Sequence, residues 1–306
     1  MGLQVITPML KSPKVLHLEV TDVCQAACPQ CEREVNPAFD STVKHHLSVD
    51  QIKSLFDEDF IRNLDKMFMC GNYGDPAAGK HTLDIFRYFK QVNPDVTLGM
   101  NTNGAINNTA WWQELAGILN GTFDYVVFSI DGLEDTNHIY RKNVVWNKLV
   151  ENVQAYVNAD GSAHWEMLIY QHNEHQIELA EQTARDLGFN WFRTKVSKRF
   201  KDVPIKFLNP PNNYQLPNVV QAEKIECYAL QEQSIYVSAN GRILPCCWFG
   251  AEVFSLDRRA QELLADWNLL EASWTNRPHS ICSKTCGIDE KGNSFTKQWQ
   301  IQKQLK

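Results

Sequence analysis

Short apolar or β-branched runs alternate with amphipathic helical patterns between residues 14 and 196 of this chain. Turn residues bound each run, which is typical of a strand. The predicted strands are 15–21, 66–70, 96–101, 125–130, 164–170 and 191–195, and the predicted helices are 48–64, 81–91, 109–119, 146–158 and 175–187. Six βα units predict a parallel sheet with helices outside it. Six is fewer than the eight units of a closed barrel, so we expect an α/β fold with an open, partial (βα)6 barrel.

A second region follows this alternation. Prolines block continuous helix or central strand after residue 200, so residues 200–226 are interpreted as a linker after a barrel domain at 1–199. Residues 234–248 have the alternation of a β-hairpin, with Asn240-Gly241 as its turn. We expect a small cysteine-rich domain at 227–290 with a helix over 258–269, and a loosely attached polar tail at 291–306.

Composition narrows the function classes. The chain is 43% apolar and 22% charged, as in an ordinary globular protein. No apolar run approaches the ~20 residues needed to span a bilayer, and no secretory signal opens the chain. We therefore expect a cytoplasmic protein without a membrane partner. The net charge of −6 argues against a nucleic-acid partner. One basic stretch runs from Arg193 to Lys201; it is interpreted as a solvated face, or as a feature that favours a phosphorylated or carboxylated substrate.

Nine cysteines in a chain without a secretory signal indicate metal binding or catalysis. Cys24, Cys28 and Cys31 form the pattern C-x-x-x-C-x-x-C directly after the first predicted strand. Thiolates suit iron–sulfur clusters and zinc alike. Three of them can hold three corners of a cubane cluster and leave one iron open. A structural zinc site normally needs a fourth ligand, and the next cysteine, Cys70, is not adjacent to the triad.

This spacing, at the end of the first strand of a βα-repeating chain, resembles the radical S-adenosylmethionine (SAM) superfamily. The resemblance implies a [4Fe–4S] cluster on Cys24, Cys28 and Cys31, whose open iron binds SAM. It also implies that a low-potential electron donor, such as flavodoxin or ferredoxin, drives cleavage of SAM to methionine and a 5′-deoxyadenosyl radical. That radical abstracts a hydrogen atom from the substrate.

Segments after the later strands extend the resemblance. C-G-N-Y-G-D-P at 70–76 resembles the family's G-E-P segment, which contacts the SAM amino group, although Asp75 here replaces the usual Glu. S-I-D-G-x5-H-x-x-R at 129–141 resembles the branch with SPASM or twitch domains, in which Ser and Arg lie near the SAM carboxylate. The predicted cofactor-binding residues are Gly74, Asp75, Pro76, Asn101, Ser129, Asp131, Arg141 and Asn173.

Each of these positions also has an ordinary structural interpretation. Residues 70–76 are consistent with a plain loop, Asp131 with a turn residue, and Arg141 with a surface salt bridge. The chain also departs from the family at Gln30, where an aromatic residue often precedes the third cysteine. Adenine contacts at that point are therefore not predicted.

The C-terminal cysteines resemble a twitch domain, the shortened form of SPASM. Cys227 and Cys246 fit C-x13-G-x4-C, and Cys282 and Cys286 follow as C-x-x-x-C. The resemblance implies that these four ligate one auxiliary [4Fe–4S] cluster; zinc is the alternative. Cys247 is interpreted as a core thiol that points away from its neighbour on the strand; the alternative is that Cys246 and Cys247 exchange these roles.

Cys70 has two interpretations. It is either a small buried residue or, as a candidate catalytic group, a hydrogen-atom donor to the substrate.

The function expected from the resemblance is a net oxidation or modification of a small molecule or of a peptide or protein side chain. About fourteen residues precede the first strand, which argues mildly against recognition of a leader peptide. The alternative from another class is a non-enzymatic zinc or iron–sulfur binding protein. Such a protein has no need of the ordered G-D-P and S-I-D-G segments.

Overall fold

The structure is a computed structural model. It describes residues 13–37, 39–40, 42–197, 199–200, 203–212, 214, 224–249, 269–289, 292–293 and 299–306. Residues 258–268 of the predicted helix over 258–269 lie outside the described residues.

Six parallel strands form the centre of the molecule. They are β1 (Val15–Leu18), β2 (Lys66–Met69), β3 (Thr97–Thr102), β4 (Tyr125–Ser129), β5 (Ala163–Ile169) and β6 (Trp191–Val196). They pair in the order of the sequence, each parallel to the next. The predicted α/β fold with a parallel sheet is therefore confirmed.

Helices connect these strands and continue into the C-terminal region. They are α1 (Glu32–Val35), α2 (Val49–Leu55), α3 (Glu58–Arg62), α4 (Thr82–Val92), α5 (Thr109–Ile118), α6 (Asn137–Tyr140), α7 (Trp146–Asn158), α8 (Ile177–Asp186), α9 (Tyr228–Gln231) and α10 (Ser280–Cys286). Two 3₁₀ turns, Pro76–Ala78 and Glu174–Gln176, complete the set that concerns the site.

The single helix predicted over 48–64 is wrong, although its start is right. Ser48 and Gln51 form the expected capping box, in which each side chain bonds the other's backbone N–H. The helix ends at Leu55, and the next residue, Phe56, has an extended backbone and packs its ring in the core. Asp57 then caps α3 by accepting a hydrogen bond from the Phe60 N–H at 2.8 Å. A second capping residue therefore divides the segment.

The two faces of the sheet differ. Side chains facing the helices are fully buried, among them Met67, Met100, Phe128, Trp165 and Phe192. The opposite face carries a row of rings, with centroid distances of 4.4 Å between His17 and Phe68, 5.3 Å between Tyr125 and His164, and 6.3 Å between His164 and Trp191. Polar residues follow this row at the carboxyl ends of the strands, where ligands gather in parallel α/β folds.

C-terminal segments pair with both edges of the parallel sheet. On one edge, β8 (Ser234–Val237) pairs parallel with β1, and β9 (Ile243–Leu244) returns antiparallel to β8. This confirms the predicted hairpin, and Gly241 at its turn has the positive φ of 81° that favours glycine. A separate three-stranded sheet contains β7 (Lys224–Ile225), β10 (Gly287–Asp289) and β11 (Gly292–Asn293). β7 therefore lies inside the segment interpreted as a linker.

On the other edge, β12 (Trp299–Gln304) pairs antiparallel with β6. The expectation of a loosely attached tail is wrong for this part, because its backbone completes the sheet edge. Within the described residues, no helix is both long enough and apolar enough to cross a membrane.

Candidate functional site

The cysteine triad occupies the loop between β1 and α1. Cys28 is buried, Cys24 and Cys31 are half-buried, and Cys31 precedes the first turn of α1. The Cys31 N–H donates to the Cys28 carbonyl at 2.9 Å, which folds the loop back on itself. Burial raises the pKa of the Cys24 thiol to about 12 and that of Cys28 to about 11. Without a metal, both thiols are therefore neutral at pH 7.

Nitrogen donors surround two of the triad sulfurs. The Ala26 N–H lies 3.4 Å from Cys24 Sγ, and Asn103 Nδ2 lies 3.6 Å from the same sulfur. Arg141 Nη1 lies 3.9 Å from Cys28 Sγ. Hydrogen bonds to cysteine sulfur are one means by which proteins set the properties of iron–sulfur clusters, so the environment fits such a group.

Asn103 was not among the predicted residues, although it belongs to the N-T-N-G segment that follows the third strand. The predicted Asn101 lies within β3, two positions before it. Asn103 also exchanges hydrogen bonds with Gln25, the neighbour of Cys24 in sequence. The motif was a usable signal, but the sequence did not show which of its two asparagines reaches the triad.

Asp75 lies beside the triad, and its carboxylate is fully engaged by the protein. One oxygen accepts hydrogen bonds from Thr102 Oγ1 at 2.8 Å and the Ala77 N–H at 2.9 Å. The other accepts from the backbone N–H of Asn103 at 2.7 Å and from its side chain at 2.6 Å. Burial raises the pKa of Asp75, and these bonds oppose that rise. In this arrangement, Asp75 orients Asn103 towards Cys24.

The loop around Asp75 is closely packed. A Cβ at Gly74 would lie 1.9 Å from the carbonyl oxygen of Thr21, so only glycine fits there. Pro76 opens the 3₁₀ turn, as its fixed φ allows. The predicted G-D-P segment is therefore held against the segment that leads into the triad.

Asp131 and Arg141 form a buried ion pair next to Cys28. Arg141 Nε lies 2.6 Å from Asp131 Oδ2, and the Leu168 N–H donates to Asp131 Oδ1 at 2.6 Å. Burial raises the pKa of Asp131, and the Arg141 charge opposes that rise. Asp131 is 0% exposed, and the Arg141 side chain is 17% exposed. The surface salt bridge and the ordinary turn residue are therefore the wrong interpretations of this pair.

Two other predicted cofactor-binding residues, Ser129 and Asn173, lie near the ends of strands. Ser129 is the last residue of β4, directly before the segment that carries Asp131. Asn173 is fully buried, and its side-chain amide donates to the carbonyls of Asp131 at 2.9 Å and Leu168 at 2.8 Å. Asn173 therefore fixes the backbone at Asp131 by hydrogen-bonding its carbonyl.

Gln30 is fully buried and acts as a structural anchor. Its Oε1 accepts from Ser197 Oγ at 2.9 Å, and its Nε2 donates to the Val203 carbonyl at 3.1 Å. Arg199 donates to the Gln30 carbonyl. The residue that departs from the family pattern thus ties the triad loop to the end of β6.

The basic stretch is not one solvated face. Lys195 Nζ lies 2.5 Å and Arg193 Nη2 3.5 Å from the carboxylate oxygens of Glu166 on the neighbouring strand. These three side chains lie on the same face of the sheet as the row of rings. The solvated-face interpretation is therefore wrong for Arg193 and Lys195.

The C-terminal cysteines Cys227, Cys246, Cys282 and Cys286 all line one cavity. They come from three places: the start of α9, the segment after β9, and α10, where Cys282 and Cys286 are four residues apart on one helix face. The other walls are mainly apolar and include Tyr228, Trp248 and Trp274. The four thiols predicted to act together are therefore brought together.

The other two cysteines lie elsewhere. Cys247 is not among the described residues that line the cavity, and its Sγ lies 3.5 Å from Tyr228 Oη. Cys70 follows β2, and its carbonyl accepts from His17 Nε2 at 2.6 Å. Burial raises the pKa of the Cys70 thiol to about 12, with Cys247 and Glu166 adding to the rise. Among the described residues, no three His, Cys, Asp or Glu side chains converge on a single metal-ion position.

Glu19 is a buried residue that the sequence analysis missed. It directly follows β1 and is 1% exposed. Its Oε1 accepts from the N–H groups of Tyr73 at 2.7 Å and Gly74 at 3.2 Å, and its other oxygen accepts from the Tyr236 hydroxyl. Burial raises the pKa of Glu19 to about 7. The available signal was a carboxylate inside the apolar run V-L-H-L-E-V-T.

Comparison with known proteins rests on structure, since no protein-family model and no curated protein sequence matches the chain. Streptococcus suis SuiB bound to the precursor peptide SuiA is similar, with a TM-score of 0.62 and 13% identity, over 90% of this chain and 72% of that one. SuiB bound to S-adenosylmethionine gives a TM-score of 0.57 and 14% identity, over 84% of this chain; the match spans 65% of the SuiB chain.

BtrN in complex with AdoMet and 2-DOIA is also similar, with a TM-score of 0.51 and 13% identity. The match covers 88% of this chain and 91% of BtrN. These neighbours are radical SAM enzymes. At such low identity the similarity concerns the fold alone: this chain has an α/β fold with a largely parallel central sheet that matches the partial barrels of these neighbours.

Proposed function

We propose that this chain is a radical SAM enzyme in which Cys24, Cys28 and Cys31 hold a [4Fe–4S] cluster whose open iron binds SAM. The observation that carries the proposal is the meeting of separate strand-end segments at the triad. Asn103 follows β3 and lies 3.6 Å from Cys24 Sγ, and Arg141 follows β4 and lies 3.9 Å from Cys28 Sγ. A purely structural metal site has no need of these polar side chains.

The chain's own residues have distinct proposed roles around this site. When bound, the reduced cluster and SAM supply a 5′-deoxyadenosyl radical that abstracts hydrogen from the substrate. Arg141 pairs with the SAM carboxylate, because its Nε is fixed by Asp131 while Nη1 faces the triad. Asn103 donates to Cys24 sulfur, and Asp75 holds Asn103 in that orientation.

We assign the C-terminal cavity to one auxiliary [4Fe–4S] cluster, ligated by Cys227, Cys246, Cys282 and Cys286, all of which line it. Four thiolates also suit a structural zinc ion. The iron–sulfur chemistry proposed for the triad favours the cluster at this second site. Four thiolates complete its coordination, which suits electron transfer in a net oxidation better than direct substrate binding.

Two substrate classes are consistent with the fold. One similar structure holds a precursor peptide and another holds 2-DOIA together with AdoMet. We therefore propose modification of a peptide or protein side chain, or oxidation of a small molecule, with a low-potential donor such as flavodoxin or ferredoxin as the electron source. Cys70, at the end of β2, is the candidate hydrogen-atom donor.

The first experiment measures iron and acid-labile sulfide per chain after anaerobic reconstitution, together with 5′-deoxyadenosine released from SAM by the reduced protein. About eight irons and release of 5′-deoxyadenosine support both assignments. About four irons with bound zinc would keep the SAM site and make the C-terminal site structural. A folded protein that binds metal and releases no 5′-deoxyadenosine would be a non-enzymatic binding protein.

A matched pair of variants assigns the first site. Cys28→Ala removes one proposed ligand of the triad and abolishes SAM cleavage. Cys247→Ala removes a cysteine outside both ligand sets and leaves SAM cleavage in place. Full activity in Cys28→Ala would contradict the proposal.

A further inference from the structure

One loop contacts the surroundings of both cysteine sites. We call residues 70–76, which run from the end of β2 to the first residue of the 3₁₀ turn, the bridge loop. On the triad side, the Asp75 N–H donates to the Val23 carbonyl at 2.9 Å. Cys31 Sγ lies 3.8 Å from the Asn72 carbonyl oxygen. The bridge loop is therefore in direct contact with the triad loop at two points.

The same loop reaches the C-terminal hairpin through Asn72. Its side-chain amide donates to the Cys247 carbonyl at 2.7 Å. Cys247 is bonded to Cys246, which lines the C-terminal cavity. Asn72 thus contacts both sites. Its side-chain amide bonds the Cys247 carbonyl beside the C-terminal site, and its own carbonyl lies near Cys31 Sγ of the triad.

Glu19 supplies a second, independent connection. One carboxylate oxygen receives the N–H groups of Tyr73 and Gly74 in the bridge loop, and the other receives the hydroxyl of Tyr236 on β8. Glu19 and Tyr236 are each 1% exposed and Tyr73 is 3% exposed. Water cannot replace these bonds in place, so the loop conformation depends on them.

We propose that the bridge loop couples the two sites, so that filling the C-terminal cavity strengthens SAM binding at the triad, with Asn72 and Glu19 as positioning residues. This inference rests on the proposed function. Ligation of Cys246 fixes the adjacent Cys247 carbonyl, and that carbonyl fixes Asn72. Asn72 lies two residues before Gly74 in the segment proposed to bind SAM. The first ligand to bind therefore orders the bridge loop, and the second ligand binds with a smaller loss of conformational entropy.

Coupling of this kind is reciprocal. SAM bound at the triad must stabilise the filled C-terminal site by the same factor. The proposal therefore predicts an effect that can be measured from either end.

The main test is a double-mutant cycle on SAM affinity, measured by equilibrium dialysis with the reconstituted protein. Cys286→Ala empties the C-terminal site, and Asn72→Asp removes the amide donor. We expect Cys286→Ala to raise the SAM Kd about fivefold or more in the wild-type background. In the Asn72→Asp background, the same substitution should raise it less than about twofold.

A matched control comes from Asn107, whose side-chain amide donates to the Ala77 carbonyl at 2.6 Å in a neighbouring loop. Asn107→Asp makes the same chemical change away from the hairpin, and aspartate tolerates the positive φ of 63° there. The full effect of Cys286→Ala should persist in this background. Equal effects of Cys286→Ala in the Asn72→Asp and wild-type backgrounds would overturn the coupling.

A measurement on the wild-type protein covers the case in which Cys286→Ala does not fold. SAM added to the reconstituted protein should slow amide hydrogen exchange in α10, and Asn72→Asp or Glu19→Gln should remove that slowing. Unchanged exchange in α10 with SAM bound would refute the coupling. A wild-type protein that takes up no iron and no SAM would instead refute the proposed function.

Discussion

The two cysteine sites are surrounded by different types of side chain. Around the triad lie a guanidinium, two buried carboxylates and an amide, contributed by segments that follow separate strands. Around the C-terminal four lie mainly apolar and aromatic side chains. A polar surround can orient a ligand that carries amino and carboxylate groups. An apolar surround excludes water from an inorganic group and offers nothing that would orient a polar substrate.

The thiols of the two sites nevertheless share one property. Burial raises the pKa of Cys24 and of Cys227 to about 12, and it also raises the pKa of Cys246 well above its ordinary value. A metal that bound at either of the proposed sites would therefore have to displace protons, and its binding would be favoured by higher pH. The difference between the sites lies in what surrounds the sulfurs.

The largest expected effect separates the sites by activity. Cys28→Ala should reduce 5′-deoxyadenosine release to background, because it removes a ligand of the only cluster proposed to bind SAM. Cys282→Ala should lower the rate and leave cleavage measurable, since the triad is intact. Chromatography of the reaction mixture measures both rates. Complete loss in Cys282→Ala with a filled triad would mean that the two sites are not chemically distinct.

The adjacent residues Cys246 and Cys247 provide a test of which cysteines are ligands at the C-terminal site. Cys246→Ala should remove about four irons per chain, whereas Cys247→Ala should remove none, because only Cys246 lines the cavity. Iron analysis of the two reconstituted variants is the measurement. The reverse result would assign the ligand to Cys247 and require the hairpin to turn its other face to the cavity.

The polar network of the first site should contribute strongly to stability. Asp131→Ala leaves the Arg141 charge without its partner at 2.6 Å and is expected to lower the free energy of unfolding by about 3–5 kcal/mol. Urea unfolding of the metal-free protein measures the change. Adding Arg141→Met to Asp131→Ala should recover part of the loss. A change below about 1 kcal/mol for Asp131→Ala would show that water reaches the pair.

Glu19, between the two sites, should give a smaller effect that depends on pH. Its pKa is raised from 4.5 to about 7, so the folded state holds a proton that the unfolded chain releases above pH 4.5. Its contribution to stability is therefore full below pH 4.5 and is lost as the pH rises towards 7, by up to about 1.4 kcal/mol per pH unit. Tyr236 and Tyr73, which face it, do not titrate in this range.

Glu19→Gln has no such proton, so the stability difference between the variant and the wild type should change across this interval. Urea unfolding of both proteins at several pH values measures it. Parallel curves for the two proteins would show that Glu19 has an ordinary pKa.

The sequence predicted the parts of this molecule that depend on local signals. Buried parallel strands have continuous apolar runs, and all six central strands were recognised from them. The helix over 48–64 was wrong because burial of Phe56 and capping by Asp57 interrupt an otherwise helical pattern. β12 was not predicted because its sequence is polar and lacks the apolar pattern of a buried strand. An edge strand of this kind forms because the neighbouring strand has unpaired backbone N–H and C=O groups, which the sequence does not reveal.

The same distinction applies to the candidate site. Cysteine spacing and the G-D-P and S-I-D-G segments are local, so they were recognised as motifs. The contacts of Glu19 with Tyr236 and of Gln30 with Ser197 join residues far apart in the chain, and no local pattern encodes them. The choice between Asn101 and Asn103 depended on where β3 ends, which is the least reliable part of an element to predict.

The position of β8 has a consequence for how the chain is made. β1 is synthesised early, yet its outer neighbour in the sheet lies more than 200 residues later. At ordinary rates of translation, roughly ten to forty seconds separate the two strands. During that interval the edge of β1 can pair with other chains, and the cysteine triad stands directly beside it. β1 therefore gains its outer partner in the sheet only after the C-terminal hairpin has been synthesised.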